Sequence, residues 1–183
     1  MQRRQWLLII VLVALWFGVT RYNVRRMEES GSGLSGPSLT QPGFPRKMAT
    51  GWTLLGTDGK AFDWSKVGGR LVLVNIWATW CPPCRAELPS LASLAANESL
   101  RDKLVVLCVS TDDQPQALKS FLERQKLDLP VFFAPELPSD YVTEGIPATF
   151  LLDSDGTLIG SEVGAARWDD PTFVSKLSAI PKK

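Results

Sequence analysis

The stretch that decides the fold is WATWCPPCRAELP, Trp77 to Pro89. Two cysteines, Cys81 and Cys84, stand three residues apart with two prolines between them. Such a pair is half of a metal site, a structural staple, or a centre that exchanges electrons with another molecule. The chain has three cysteines in all, the third being Cys108, and no histidine. A structural zinc site takes four Cys or His ligands, so an intrachain zinc centre is not expected and no metal is assigned. Without histidine there is also no Ser-His or Cys-His catalytic pair. A staple closing so short a loop removes little chain entropy. The redox reading is the one left with a physical reason.

The residues on either side support it. RLVLVNIWA, residues 70–78, is a continuous apolar, β-branched run, as expected for a strand buried on both faces. From Pro83 to Ala96, Leu88, Leu91, Leu94 and Ala95 recur at helical spacing. The cysteines therefore lie where a buried strand ends and a helix begins. There the helix macrodipole and unsatisfied N–H groups favour thiolate, the nucleophilic form of cysteine. Cys81, the outer residue, is expected to attack a disulfide, and Cys84, one turn later, to resolve the mixed disulfide.

Further out, GWTLLGTDGKAFDWSKV reads as a hairpin turning at Asp58-Gly59. KLVVLCVST, residues 103–111, reads as a second buried strand, residues 114–127 as a helix, and residues 129–134 as a third strand. PATFLLDSDGTLIGSEVG reads as strands 149–152 and 158–163 around Asp155-Gly156. Phe173, Val174 and Leu177 mark a last helix after Asp170-Pro171. This order predicts an α/β domain, a central mixed sheet with helices on both faces.

Ahead of that domain, Arg3 and Arg4 precede an apolar run, residues 6–20, followed by Arg21, Arg25 and Arg26. The run covers about 22 Å, short of a bilayer core of about 30 Å, and its length also fits a secretory signal. No Ala-x-Ala-like site follows it. The flanking arginines could snorkel, and Trp6, Trp16 and Tyr22 suit membrane interfaces. Residues 1–26 are expected to be a membrane anchor, with a cleaved signal as the alternative. Arginines on both sides leave the orientation open. ESGSGLSGPSLTQPGFP, within 27–47, reads as a flexible linker, and the folded domain is expected over 48–183. Lys and Arg number 20 against 19 Asp and Glu. That balance supplies no basic footprint for nucleic acid.

NIWATWCPPCRAELPSL together with GIPATFLLDSDG resembles the thioredoxin superfamily. More narrowly, the chain is similar to the membrane-anchored thiol-disulfide oxidoreductases of the TlpA, ResA and CcmG type. The likeness covers residues 49–180. It implies a thioredoxin-like fold with an N-terminal hairpin and a strand–helix insert between Lys103 and Ala134. It also implies a cis proline at Pro147 beside the cysteines, and a Cys81–Cys84 redox disulfide with no other cofactor. An inner-membrane, single-pass protein with its catalytic domain in the periplasm is the implied setting. Protein disulfides, including those of apocytochrome c, are the implied substrates, and a membrane dithiol protein is the implied electron donor. The Ile146-Pro147 loop is expected to pair with an extended substrate segment, and Trp80 to border the docking surface. Trp77 is expected in the core, and Cys108 as an inert buried thiol.

Two departures carry physical content. Pro82 and Pro83 have no N–H to offer the Cys81 sulfur, which points to a weakly stabilised thiolate and a reducing poise. Thioredoxins proper place a buried Asp six residues before the first cysteine. Here that position is Asn75, which cannot accept a proton. Glu87, three residues after Cys84, is expected to take over, as a functional Glu does in some anchored relatives. The competing readings are a disulfide donor, a non-catalytic binding module and a peroxidase. The last would carry Thr three residues before its cysteine, where this chain has Ala78.

Overall fold

The computed structural model of this protein describes residues 13, 15, 18, 33–112 and 115–181. The chain divides into two compact units, Met1–Leu34 and Ser35–Lys183. In the first, Val13, Leu15 and Gly18 are helical and exposed. The rest of the expected anchor, residues 6–20, lies outside the described residues. Among the described residues no helix is long and apolar enough to cross a membrane. The longest is 14 residues, Pro82–Ala95, about 21 Å at 1.5 Å per residue, where a span takes about 20 apolar residues. The inner-membrane, single-pass placement with a periplasmic domain is corrected on that finding.

The second unit holds a six-stranded sheet of order β1-β4-β3-β2-β5-β6. Its strands are β1 (Leu55–Gly56), β2 (Leu71–Trp77), β3 (Leu104–Ser110), β4 (Val131–Phe133), β5 (Ala148–Leu152) and β6 (Leu158–Val163). β2 is central and buried along its whole length, as its apolar run, interrupted at Asn75, dictates. It pairs parallel with β3 and antiparallel with β5. β3–β4 is parallel, while β1–β4 and β5–β6 are antiparallel. The sheet is mixed, as expected, and the turn at Asp58-Gly59 closes with Gly56 N–H donating to the Lys60 carbonyl at 2.8 Å.

The helices are α1 (Pro82–Ala95), α2 (Pro115–Gln125) and α3 (Pro171–Ala179). Their arrangement departs from the expected two-faced cover. Leu88 and Leu91 of α1, Leu118 and Phe121 of α2, and Phe173 and Leu177 of α3 all join one core with Leu71, Leu73 and Trp77. Topology explains this. β2, β3 and β4 step in one direction across the sheet, so two right-handed crossovers put α1 and α2 on the same face. The opposite face, built on Val72, Val74 and Ile76, is covered by residues from the N-terminal side and by Tyr141. There Trp52–Tyr141 and Tyr141–Phe150 ring centroids lie 5.3 and 5.2 Å apart.

From Ser35 the chain belongs to the folded unit. Thr40 and Ser161 exchange backbone hydrogen bonds of 2.8 and 2.9 Å, and Leu158 N–H donates to the Arg46 carbonyl at 2.8 Å. This arm covers the outer edge of β6, which would otherwise expose a row of unpaired backbone groups. Gly160 makes room for it, since a Cβ there would stand 2.8 Å from Leu39 Cβ. Backbone pairing of this kind needs no apolar period, so composition alone read the segment as coil.

Candidate active site

β2 ends at Trp77, and a short turn carries the chain through Trp80 into α1. Cys81 is the N-cap of that helix. Its Sγ accepts the Cys84 N–H at 3.2 Å. Pro82 and Pro83 occupy the first two helical positions and have no N–H to give. Cys84 therefore supplies the first available donor. Cys81 and Cys84 form a disulfide with Cα atoms 5.3 Å apart.

Across from the pair, the Ile146-Pro147 peptide is cis, as the resemblance implied. The Ile146 carbonyl oxygen lies 3.7 Å from Cys81 Sγ. Cys81 is 4% exposed and Cys84 fully buried, while Trp80 beside them is 68% exposed. Cys81 is the outer sulfur, as expected, but only a small part of it reaches the surface. Trp77 is fully buried, its ring 5.8 Å from Phe121.

The turn is held by a residue the sequence reading missed. Asp112, just past β3, is 7% exposed. It accepts Thr79 N–H at 2.9 Å, Thr79 Oγ1–H at 2.7 Å and Ser110 Oγ–H at 2.6 Å. Thr79 directly precedes Trp80-Cys81, so this carboxylate ties the cysteine turn to the end of β3. Asp112→Ala strips the acceptor from three donors, and hydrogen bonds to charged groups are worth about 1.5–3 kcal/mol each before relaxation. A loss of about 3 kcal/mol is expected in urea unfolding. A loss below about 1 kcal/mol, the neutral-bond scale, would show that the clamp is idle.

Glu87 is fully buried on α1. Its Oε1 accepts Asn75 Nδ2–H at 2.8 Å. Its Oε2 accepts Ala166 N–H at 3.1 Å and Trp168 Nε1–H at 2.9 Å. The carboxyl is pushed up from 4.5 to about 7, burial outweighing the downward pull of the three hydrogen bonds, and the charge of Glu162 adding a smaller push upward. Among the described residues the carboxyl oxygens of Glu87 take the N–H groups of Asn75, Ala166 and Trp168, and Cys84, in its disulfide, has no proton to share. Asn75, Cys108 and Thr149 are register partners on β2, β3 and β5. Cys108 is a free, buried thiol. Burial first, and the Glu87 charge second, push its titration up, which keeps it protonated.

Asn75, Thr149, Ala166 and Trp168 were not singled out together, since they meet Glu87 only through the fold. The one local signal was Asn75 itself, at the position of the thioredoxin aspartate. Among the described residues no cluster of His, Cys, Asp and Glu could hold a metal ion. A buried disulfide at a helix start, with a carbonyl against its outer sulfur and a titratable carboxyl on the same helix, can pass two electrons and a proton.

Residues 34–177 match the family model Redoxin. The chain is 28% identical over 165 residues to the thioredoxin-like protein YneN of Bacillus subtilis strain 168, covering 88% of this chain and 91% of that protein. It is 27% identical over 121 residues to the thiol-disulfide oxidoreductase ResA of Bacillus cereus, covering 64% and 69%. The crystal structure of the pneumococcal exposed lipoprotein thioredoxin Etrx1, from Streptococcus pneumoniae strain TIGR4, aligns with a TM-score of 0.61 at 26% identity. It covers 70% of this chain and 98% of that one.

Proposed function

From the premise that this chain belongs to the Redoxin family and is a thiol-disulfide oxidoreductase, we propose that it works in the reducing direction on protein disulfides. Cys81 thiolate attacks a substrate disulfide, one substrate sulfur leaves as thiolate, and a Cys81–substrate mixed disulfide forms. Cys84 thiolate then attacks Cys81 Sγ and releases the second substrate sulfur. The substrate gains two electrons, and the protein is left with the Cys81–Cys84 disulfide. A dithiol protein reduces it again, and no other cofactor takes part. Trp80 and the Ile146-Pro147 backbone border the substrate segment. Glu87 holds the proton exchanged as the Cys84 thiol is formed and consumed.

The observation that carries the direction is the supply of hydrogen bonds to Cys81. In the first turn of α1, Pro82 and Pro83 have no N–H, and Cys84 N–H is the donor on Sγ. Facing it is the Ile146 carbonyl, an acceptor that favours thiol over thiolate. A poorly stabilised thiolate means a stable disulfide and a reducing couple. Equilibrating the full chain with a dithiol buffer is expected to give a potential near or below about −250 mV, on the scale where thioredoxin stands at about −270 mV. A value near about −120 mV, that of a strong disulfide donor, would overturn the direction. A peptide disulfide carrying the C-x-x-C-H haem-attachment pair, assayed beside a generic protein disulfide, tests apocytochrome c as the substrate class. Preference for the former is expected if the chain serves cytochrome maturation.

A further inference from the structure

Asn75 lies in the middle of β2, fully buried. Its Nδ2 donates to Glu87 Oε1 at 2.8 Å and to Thr149 Oγ1 at 2.9 Å. Its Oδ1 is buried without a partner among the described residues. A buried acceptor left unpaired costs about 1–3 kcal/mol, and such exceptions in a folded protein call for a reason.

The two oxygens of Glu87 are not equivalent. Oε2 accepts two N–H groups, from Ala166 and Trp168. Neither can accept a hydrogen bond, so Oε2 stays an acceptor in both protonation states. Among the described residues Oε1 takes a hydrogen bond from the Asn75 amide alone, so a proton arriving at Glu87 belongs on Oε1. The amide as it stands would then set N–H against O–H. Its two ends have nearly the same shape and differ in whether they donate or accept. Turned over, Oδ1 accepts from Glu87 Oε1–H and from the Thr149 hydroxyl, and Nδ2 becomes the unpaired end. Each orientation makes two hydrogen bonds and leaves one atom unpaired. The residue therefore fits ionised and protonated Glu87 equally by count. Aspartate at this position would set a second carboxylate against Oε1.

We propose that Asn75 is the positioning residue for this carboxyl group: ionised Glu87 takes its N–H, and protonated Glu87, with the proton on Oε1, turns the amide over and bonds to Oδ1. Because the count of bonds is conserved, Glu87 gains and loses its proton without moving the helix that carries the cysteines. The groups around this switch are few. Cys84 lies one turn earlier on α1. Cys108 faces Asn75 from β3 and Thr149 faces it from β5. Glu162 on β6 is the register partner of Thr149 and accepts Ser38 N–H at 2.9 Å. Trp168 stands ahead of α3. Of these, Glu162 carries the charge that favours the protonated state of Glu87.

The proposal rests on the reading of Glu87 as the proton-holding residue, and the experiment separates the two. In the full-length chain labelled with ¹³C and ¹⁵N, the Glu87 carboxyl and Asn75 side-chain amide resonances are followed from pH 5 to pH 9. The Asn75 amide signals are expected to shift with the same midpoint as the Glu87 carboxyl. In Glu87→Gln, where an NH2 group stands for the protonated oxygen, the Asn75 signals are expected to keep their low-pH wild-type positions at every pH. A titrating Glu87 beside a static Asn75 amide overturns the switch and leaves Glu87 as a proton holder. A static Glu87 overturns both. Redox turnover enters neither readout, so a failure of the disulfide-reductase reading would be seen separately, in the activity of cysteine variants.

Discussion

Cys81→Ser is expected to reduce turnover of a protein disulfide to the uncatalysed background. The loss in kcat/KM should exceed about 10³-fold, or about 4 kcal/mol of transition-state stabilisation. A serine hydroxyl at the N-cap of α1 still accepts a hydrogen bond but offers no thiolate, and the thiolate is what attacks a disulfide sulfur. Cys84→Ser should behave differently. The first attack remains and the resolving one is lost, so a Cys81–substrate mixed disulfide accumulates and is read directly as added mass. Full turnover in Cys81→Ser would mean that Cys81 is not the attacking nucleophile. Loss of activity in Cys84→Ser with no trapped adduct would mean that the order of the two cysteines is reversed.

The second large effect is on stability. Burial raises Glu87 from 4.5 to about 7. Between those values the folded chain holds a proton that the unfolded chain has released. Stability then falls as pH rises, because the native state binds more protons. The penalty is absent below about pH 4.5 and complete above about pH 7. At about 1.4 kcal/mol per unit it amounts to about 3 kcal/mol. Glu87→Gln has no such proton to lose, and a turned-over Asn75 can accept from the new amide. Urea unfolding of both proteins between pH 4 and pH 8 is expected to show the wild type losing about 3 kcal/mol relative to the variant, on the same linkage. Comparing the pair cancels the surface carboxylates Asp58, Asp63 and Asp155. Hydrogen bonds to neighbouring groups hold these low in the fold, so they act in a more acidic range. Parallel stability curves would mean that Glu87 titrates in the fold as it does in the unfolded chain and serves only to hold Ala166 and Trp168.

The two results bear on different links of one mechanism. In the proposed mechanism the cysteines carry the electrons, and Glu87 with Asn75 holds the proton that accompanies them. Asp112 does neither, and keeps the Thr79–Cys81 turn in place while both proceed.

Much of this was legible in the chain before any coordinates. A residue run buried on both faces reads as a central strand because every side chain in it is apolar, and β2 is that strand apart from Asn75. A cysteine pair straddling two prolines at the start of a leucine-spaced helix is a local pattern, and local patterns survive in one dimension. So the cysteine pair at a helix start and the hairpin at Asp155-Gly156 were expected where they stand, and the family resemblance implied the cis Pro147. Tertiary structure alone decided the rest. Asn75 meets Glu87 across 12 residues, Thr79 meets Asp112 across 33, and Trp168 meets Glu87 across 81. Strand register and helix placement set these contacts, and neither leaves a periodic trace. The arm from Ser35 pairs through backbone groups that every residue type carries, so its Gly- and Pro-rich composition read as a linker. α1 and α2 share one face because consecutive right-handed crossovers run one way across the sheet, an order of strands that hydrophobic spacing does not encode. The sequence by itself determined the cysteine pair at the junction of a buried strand and a helix, through short-range spacing. The fold decided what surrounds them, because burial, hydrogen-bond supply and charge at Glu87 arise only from residues brought together over long stretches of chain.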